Sequence, residues 1–325
     1  MANNLFFTGG SGFVGQNVIP QLLDSGWTVY ALARSENALK KVEAAGAKGV
    51  LGSLSDLKNA QQVLENCQIV IHGAAYMDFS YNYEKFYEVN VRGTKRLLTA
   101  AKRAGVKKFI YIGAASVING KPIKNVDELY QPRHLPRDHY SKTKALAEKL
   151  VLEANLPDFA TIALRPPAIW GPNNSHYDDM LKMAKEGKWM WIGDGTHTLS
   201  TIHVDNLAAA IKAAIDKGRG GQIYYVTDGE QRPLKTFFTE VLRAEGIEPG
   251  DRSLPRGLAL AIARVVEFFW KLFRLKKRPP IAPVMIYLMG TEFSVNDRKA
   301  RSELGYRNAV SIDDGLGQLK MRSRI

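Results

Sequence analysis

The chain has 325 residues, 45% of them hydrophobic and 24% charged, with a formal net charge of +13. That length supports one large core or two unequal ones, and the composition is that of a folded globular protein, not of a disordered or membrane-spanning one. No run of about 18 apolar residues occurs, the single cysteine (Cys67) excludes an internal disulfide, and the strand-like start at Leu5 predicts no signal peptide, so a cytoplasmic setting is expected.

In chain order, "LFFTGGSGFVGQNVIPQLLDSGWTVYALAR" reads as strand, glycine turn, helix and strand. Gly9, Gly12 and Gly15 suit a dinucleotide turn: the first permits a tight bend, the second lets backbone approach a pyrophosphate, and the third packs helix on strand. The phosphates would meet the helix N-terminus, where unpaired N–H groups favour anions. The second strand ends at Ala33 and Arg34, with no carboxylate for a ribose hydroxyl. A guanidinium there suits a 2′-phosphate, so the expected cofactor is NADP, with NAD the alternative if Arg34 is only a solvated loop residue.

Strand-like runs recur at "GVLGSL", "QIVIHGAA", "KFIYIGAAS" and "FATIALRP", separated by helix-like stretches at 56–66, 84–104 and 140–155. This alternation predicts a Rossmann-type α/β fold, a doubly wound parallel sheet. In "HYSKTKALAEKL", Tyr140 and Lys144 stand four apart at the start of a helix, so their side chains point the same way. An ammonium beside a phenol is expected to lower the phenol's pKa and let Tyr140 pass a proton near neutrality.

With these motifs together, the chain resembles the extended short-chain dehydrogenases/reductases, and within them the 3β-hydroxysteroid dehydrogenase-like branch. The resemblance rests on "TGGSGFVG", "HGAA", "NVRGT", "YSKTK", "LRPPAIWGP", "IHVDNLAAAI" and "YYVTDGE" and runs over nearly the whole chain. It implies Tyr140 as catalytic acid/base and Lys144 as holder of the nicotinamide ribose. It also implies Phe13 and Val14 along the pyrophosphate turn, Asp56 and Leu57 at the adenine, Ala74 and Ala75 along the cofactor, and Pro166 to Ile169, with Ala168, beside the nicotinamide. Asn90 reads equally as a cofactor contact or as a buried amide bonding nearby backbone. His72 reads as a satisfied strand-end histidine, and Asp205 as a helix N-cap.

One departure stands out. Where the family places a Ser or Thr to hold the substrate oxygen, this chain has Ala114, and the nearest hydroxyl is Ser116. Ser116, a backbone N–H or a water would take that role.

From Gly171 the sequence turns to a smaller, mostly helical region for substrate. The expected division is 1–170 with 200–228 returning to it, and 171–199 with 229–325 as the substrate region. Tyr177 and Met180, after "RPPAIWGP", are the expected substrate contacts. No metal site and no zinc-finger spacing is read, and no basic, aromatic-interleaved repeat points to nucleic acid.

Residues 252–325 carry 15 Lys/Arg against 6 Asp/Glu, leaving +9 in the last quarter. There, 257–278 reads as an amphipathic helix with a polar stripe of Arg264, Glu267, Lys271, Arg274 and Arg278 on an otherwise apolar surface. Three readings stay open: burial in this domain or in a homodimer interface, an interfacial membrane helix, or a cap on a lipophilic substrate. The expected activity is NAD(P)-dependent interconversion of a secondary alcohol and a ketone on a steroid-like or 3-oxo acyl molecule. A nucleotide-sugar epimerase or reductase, and a cofactor-binding sensor without turnover, are the alternatives.

Overall fold

The chain's β-branched and aromatic runs, such as LFFT, KFIYI and ATIALR, are buried almost throughout, as parallel strands covered on both faces require. In the computed structural model, which describes residues 3–78, 82–273, 275 and 279–322, seven such strands form one parallel sheet. They are β1 (Asn4–Thr8), β2 (Thr28–Ala33), β3 (Lys48–Leu51), β4 (Ile69–His72), β5 (Lys108–Ile112), β6 (Ala160–Arg165) and β7 (Gln222–Tyr225). Their order is β7-β6-β5-β4-β1-β2-β3. The winding reverses between β1 and β4, and in such sheets ligands bind beyond the carboxyl ends of the strands at that reversal.

The helices are α1 (Phe13–Asp24), α2 (Glu36–Ala44), α3 (Lys58–Leu64), α4 (Tyr83–Phe86), α5 (Gly93–Arg103), α6 (His139–Glu153), α7 (Asp178–Lys185), α8 (Val204–Lys217), α9 (Leu234–Ala244), α10 (Arg256–Leu272), α11 (Pro283–Met289) and α12 (Ile312–Arg322). Between α4 and α5 runs a π-helical turn, Tyr87–Arg92. One face of the sheet packs on α1 and α8 through Val18, Leu22, Leu207 and Ile211. The other packs on α3, α5 and α6 through Leu64, Leu97, Ala101 and Val151.

The second region centres on Trp170, Trp191, Phe237 and Phe238, with Tyr177 and Met180 packed against them. The chain returns to the sheet domain twice, at β7 and again where Ala300, Leu304 and Tyr306 enter the core beside α8. The second return differs from the division expected from sequence, because Tyr306 also donates its hydroxyl to the Thr227 carbonyl at 2.8 Å. Buried Asp228 ties the regions together: its carboxylate accepts from Trp170 Nε1, Thr201 Oγ1, the His203 amide and Asn206 Nδ2 at 2.7–2.8 Å. Asp205 is not the N-cap of α8. His203 is, its Nδ1 accepting from the Asp205 amide, while the Asp205 carboxylate takes Gln21 Nε2 at 2.9 Å and so joins α8 to α1.

Candidate active site

The glycine turn is set against the end of β4. Gly9 has φ +83, and a Cβ there would stand 2.7 Å from the Gly73 carbonyl carbon and 2.8 Å from the Ala74 nitrogen. A Cβ on Gly15 would overlap the Gly10 backbone, so α1 leaves the turn close-packed, with Gly12 as its N-cap. Phe13 and Val14 form the first turn of α1 and are half-buried. Such a cradle, at the sheet reversal and opening onto a helix N-terminus, fits a dinucleotide pyrophosphate.

The other expected cofactor residues follow the carboxyl ends of β2, β3, β4 and β6. Arg34 is exposed just past β2, next to Ser35, which caps α2 by accepting from the Ala38 amide. The Asp56 carboxylate accepts from the Lys58 amide at 3.2 Å and Leu57 caps α3, packing into the core below. Ala74 is half-buried and Ala75 exposed. Ala168 and Ile169 pair in parallel with Thr201 and Ile202, and the Pro166 carbonyl accepts from the Ala115 amide at 2.8 Å.

His72 is fully buried between two hydroxyls, Thr8 Oγ1 at 2.7 Å from Nδ1 and Thr94 Oγ1 at 2.8 Å from Nε2. Thr94 spends its own proton on the Asn90 carbonyl, so Nε2 must carry the ring hydrogen and Nδ1 accepts from Thr8. Burial pushes the imidazole down to about 3, and it stays neutral. Asn90 lies in the π-turn. Its amide accepts from the Tyr76 N–H at 2.7 Å and donates to the Tyr76 carbonyl and to Thr143 Oγ1, clasping the loop after β4 to α6.

α6 carries Tyr140 and Lys144, the pair expected to be catalytic. Asp138 caps it through the Ser141 amide at 2.7 Å, which places Tyr140 and Lys144 in its first two turns. The ammonium of Lys144 is buried, donates to the Ile112 carbonyl at the end of β5 at 2.7 Å, and sits 4.2 Å from the Tyr111 ring centre. Burial pushes it down to about 7, opposed by the negative Glu148. The expected lowering of the Tyr140 pKa is corrected here: burial, and then the Asp138 carboxylate, raise it to about 12. Desolvating a phenolate outweighs a neighbouring ammonium whose own charge is being suppressed by the same burial. At neutral pH the Tyr140 phenol therefore keeps its proton.

Ser116 sits in a 3-10 turn, Ala115–Ile118, packed on α6 through Ala145 and Val117 and anchored by the Gly113 and Ala115 amides to β6 and Pro166. Its hydroxyl is buried and has no hydrogen-bond partner. An orphaned buried hydroxyl is rare, and a substrate oxygen would satisfy it. Ser116→Ala is expected to lower turnover by about 10²–10³, measured as kcat with cofactor saturating; an unchanged kcat assigns the contact to backbone or water.

Tyr177 lines a cavity of about 320 Å³ with Gly171, Asn174, Asp178 and Leu319, and neither Tyr140 nor Ser116 is among its walls. Met180 is packed between the aromatic cluster and Ala184, Leu242 and Ile247. The structure thus joins Tyr140, Lys144 and the turn bearing Ser116, and sets the two expected substrate residues in the second region. Sequence reading missed Glu148 and Arg165. The signal was available, since Glu148 follows Lys144 by one further helical turn and Arg165 ends β6 in "IALRP".

Residues 6–256 match the model of the 3-beta hydroxysteroid dehydrogenase/isomerase family. This chain belongs to that family. As a 3-beta hydroxysteroid dehydrogenase/isomerase family member it is an NAD(P)-dependent oxidoreductase of the extended short-chain type. It is 35% identical over 317 residues to the 4-hydroxy-2-methyl-3-oxo-4-farnesyl-3,4-dihydroquinoline-1-oxide ketoreductase of Stigmatella aurantiaca, covering 97% of this chain and 95% of the relative. It is 33% identical over 327 residues to a decarboxylating sterol-4-alpha-carboxylate 3-dehydrogenase of Dictyostelium discoideum, covering 97% and 99%. A UDP-glucuronic acid 4-epimerase from Bacillus cereus, solved with NAD, matches at TM-score 0.75 and 20% identity over 98% of this chain and 99% of that one, a likeness of fold. Within the 3-beta hydroxysteroid dehydrogenase/isomerase family frame, the glycine cradle and the buried Lys144 are the groups that fit a nicotinamide dinucleotide.

Proposed function

We propose that this enzyme reduces a ketone on a lipophilic small molecule, steroid-like or 3-oxo acyl, to the secondary alcohol, and that it prefers NADPH. The observation that carries this reading is the half-buried, protonated Tyr140 on the same helix as Lys144, beside the turn that holds the unpartnered Ser116 hydroxyl. By their names, one relative is a ketoreductase of a farnesylated quinoline oxide and the other a 3-dehydrogenase of a sterol carboxylate, which supports a lipophilic substrate.

The dinucleotide, when bound, supplies the hydride for the carbonyl carbon. Ser116 donates a hydrogen bond to the carbonyl oxygen and fixes its direction. Tyr140 gives that oxygen its phenolic proton. Lys144, as its ammonium, stabilises the phenolate that forms, and that negative charge in turn offsets the burial that lowers the lysine's pKa. NADPH loss followed by absorbance over a panel of lipophilic ketones, with UDP-sugars alongside, tests the reading. Ketone-dependent loss is the expected result; turnover confined to UDP-sugars, or cofactor binding with no turnover at all, would overturn it.

The preference for NADPH rests on Arg34. In Arg34→Ala the dissociation constant for NADPH is expected to rise about tenfold or more, since a charge-assisted contact is worth about 1.5–3 kcal/mol, while that for NADH stays put. Equal changes for both cofactors in a fluorescence titration would remove Arg34 from the 2′-phosphate.

A further inference from the structure

A buried chain of hydrogen bonds joins the glycine cradle to the start of α6. It begins at the Ala74 amide, which lies against Gly9 and donates to Thr8 Oγ1 at 3.3 Å. With the His72 ring hydrogen on Nε2, every later proton points the same way: Thr8 to His72 Nδ1, His72 Nε2 to Thr94 Oγ1, and Thr94 to the Asn90 carbonyl at 2.6 Å. The Asn90 side chain carries a second run in the same sense. It accepts from the Tyr76 amide and donates to Thr143 Oγ1 at 3.0 Å, and Thr143 donates to the His139 carbonyl at 2.7 Å. That carbonyl belongs to the peptide group whose nitrogen is Tyr140's own.

Thr8, His72, Asn90, Thr94 and Thr143 are each 2% exposed or less. In a core, such groups stabilise little more than apolar side chains of the same shape would, and losing one partner costs about 1–3 kcal/mol. What they add is a single geometry, because only one arrangement satisfies all of them at once. Both ends are backbone groups, an N–H at Ala74 and a C=O at His139, so no proton can enter at one and leave at the other. The chain therefore holds positions and transfers nothing. Asn90, where its two runs meet, lies in the π-helical turn Tyr87–Arg92, an irregularity of the kind that recurs at functional sites.

We propose that His72 and Thr94 are positioning residues for the reaction: acting through Asn90 and Thr143, they hold the Tyr140 peptide in register with the dinucleotide cradle, so that proton and hydride reach one carbonyl group. The catalytic consequence rests on the function proposed above; the register does not. Thr94→Val removes the hydroxyl at nearly constant shape and cuts the chain in its middle, and Thr143→Val cuts it at α6. With ketone and cofactor saturating, each is expected to lower kcat about tenfold or more while the NADPH dissociation constant stays within about twofold, because misplacing reacting groups costs rate before it costs binding. Thr94→Ser, which keeps the hydroxyl, should hold kcat within about threefold of wild type. The double variant Thr94→Val/Thr143→Val should lose no more than the worse single one, since a chain already cut gains nothing from a second cut. Wild-type kcat in both single variants, or losses that multiply in the double, would overturn the proposal.

A second measurement needs no substrate. Thr94→Val strands the His72 N–H and the Asn90 carbonyl, so its melting temperature falls whether or not the chain sets the register. Native-state amide exchange separates the two. A global loss speeds every slow amide alike, whereas a lost register speeds Ser141, Lys142 and Thr143 at the start of α6 by about tenfold or more relative to the strand cores. Exchange at those three amides that merely keeps pace with the strands would also overturn the proposal. A wild type that turns over no ketone counts instead against the proposed function, and the exchange result then decides the positioning by itself.

Discussion

Tyr140→Phe is expected to lower ketone turnover by about 10²–10⁴, the range a positioned acid or base contributes, and to leave NADPH binding nearly unchanged. The phenol's pKa of about 12 makes it a donor across the physiological range, so the reductive rate should not depend on its ionisation there. The reverse reaction needs the phenolate. Alcohol oxidation should therefore climb with pH toward about 12 in the wild type, and the climb should vanish in the variant. Steady-state rates in both directions from neutral to alkaline pH check this. A variant that keeps its full turnover, or an oxidation rate flat with pH, would take the proton from Tyr140.

The second large effect lies beneath the site. Arg165 and Glu148 form a two-pronged ion pair at 2.9 and 2.6 Å, with side chains 9% and 6% exposed, and Arg165 also donates to the Tyr225 hydroxyl at 2.9 Å. Removing one member of such a pair strands the other's charge in the interior. Glu148→Ala should cost about 3–5 kcal/mol of folding stability, whereas Glu148→Leu/Arg165→Met, which removes both charges, should cost less. Denaturant unfolding measures both. A loss of under about 1 kcal/mol in the single variant would show that water reaches the guanidinium. Glu148 also opposes the burial that depresses Lys144, so in Glu148→Gln the lysine should fall further below about 7 and the reductive rate should decline at a lower pH.

What could be read from the chain beforehand follows from how local each signal is. The glycine turn, the alternating strands and helices and the Tyr140–Lys144 spacing are set within a few residues of one another, so they were legible. The direction of the Tyr140 shift was not. It depends on how deeply the assembled fold buries the ring, and the ammonium taken as its partner is itself turned to the Ile112 carbonyl. Asp228 is not legible locally because its four donors, Trp170, Thr201, His203 and Asn206, come from three elements distant from it in sequence, the strands Ala168–Trp170 and Thr201–His203 and helix α8. Asp205 reads as a cap from its place before a helix, but His203, two residues earlier, takes that position. For α10, the width of the apolar face was visible in the sequence. That Ala259 and Ala263 alone among its residues are buried was not, because coverage belongs to the neighbouring elements.

The late return of the chain to its first core has a consequence for synthesis. Asn206, on α8, accepts from the amides of Ala309 and Val310 and donates to the Val310 carbonyl, while Leu304 and Tyr306 fill the space beside that helix. The sheet through β7 emerges from the ribosome first, yet its surface over α8 stays open until residues 300–310 are made. At about 5–20 residues per second the nascent domain waits roughly several seconds after β7 with that apolar face uncovered. The nucleotide-binding region is thus completed only by residues 300–310, far beyond β7 along the chain. A chain cut short before residue 300 would be a substrate for chaperones and not a smaller enzyme.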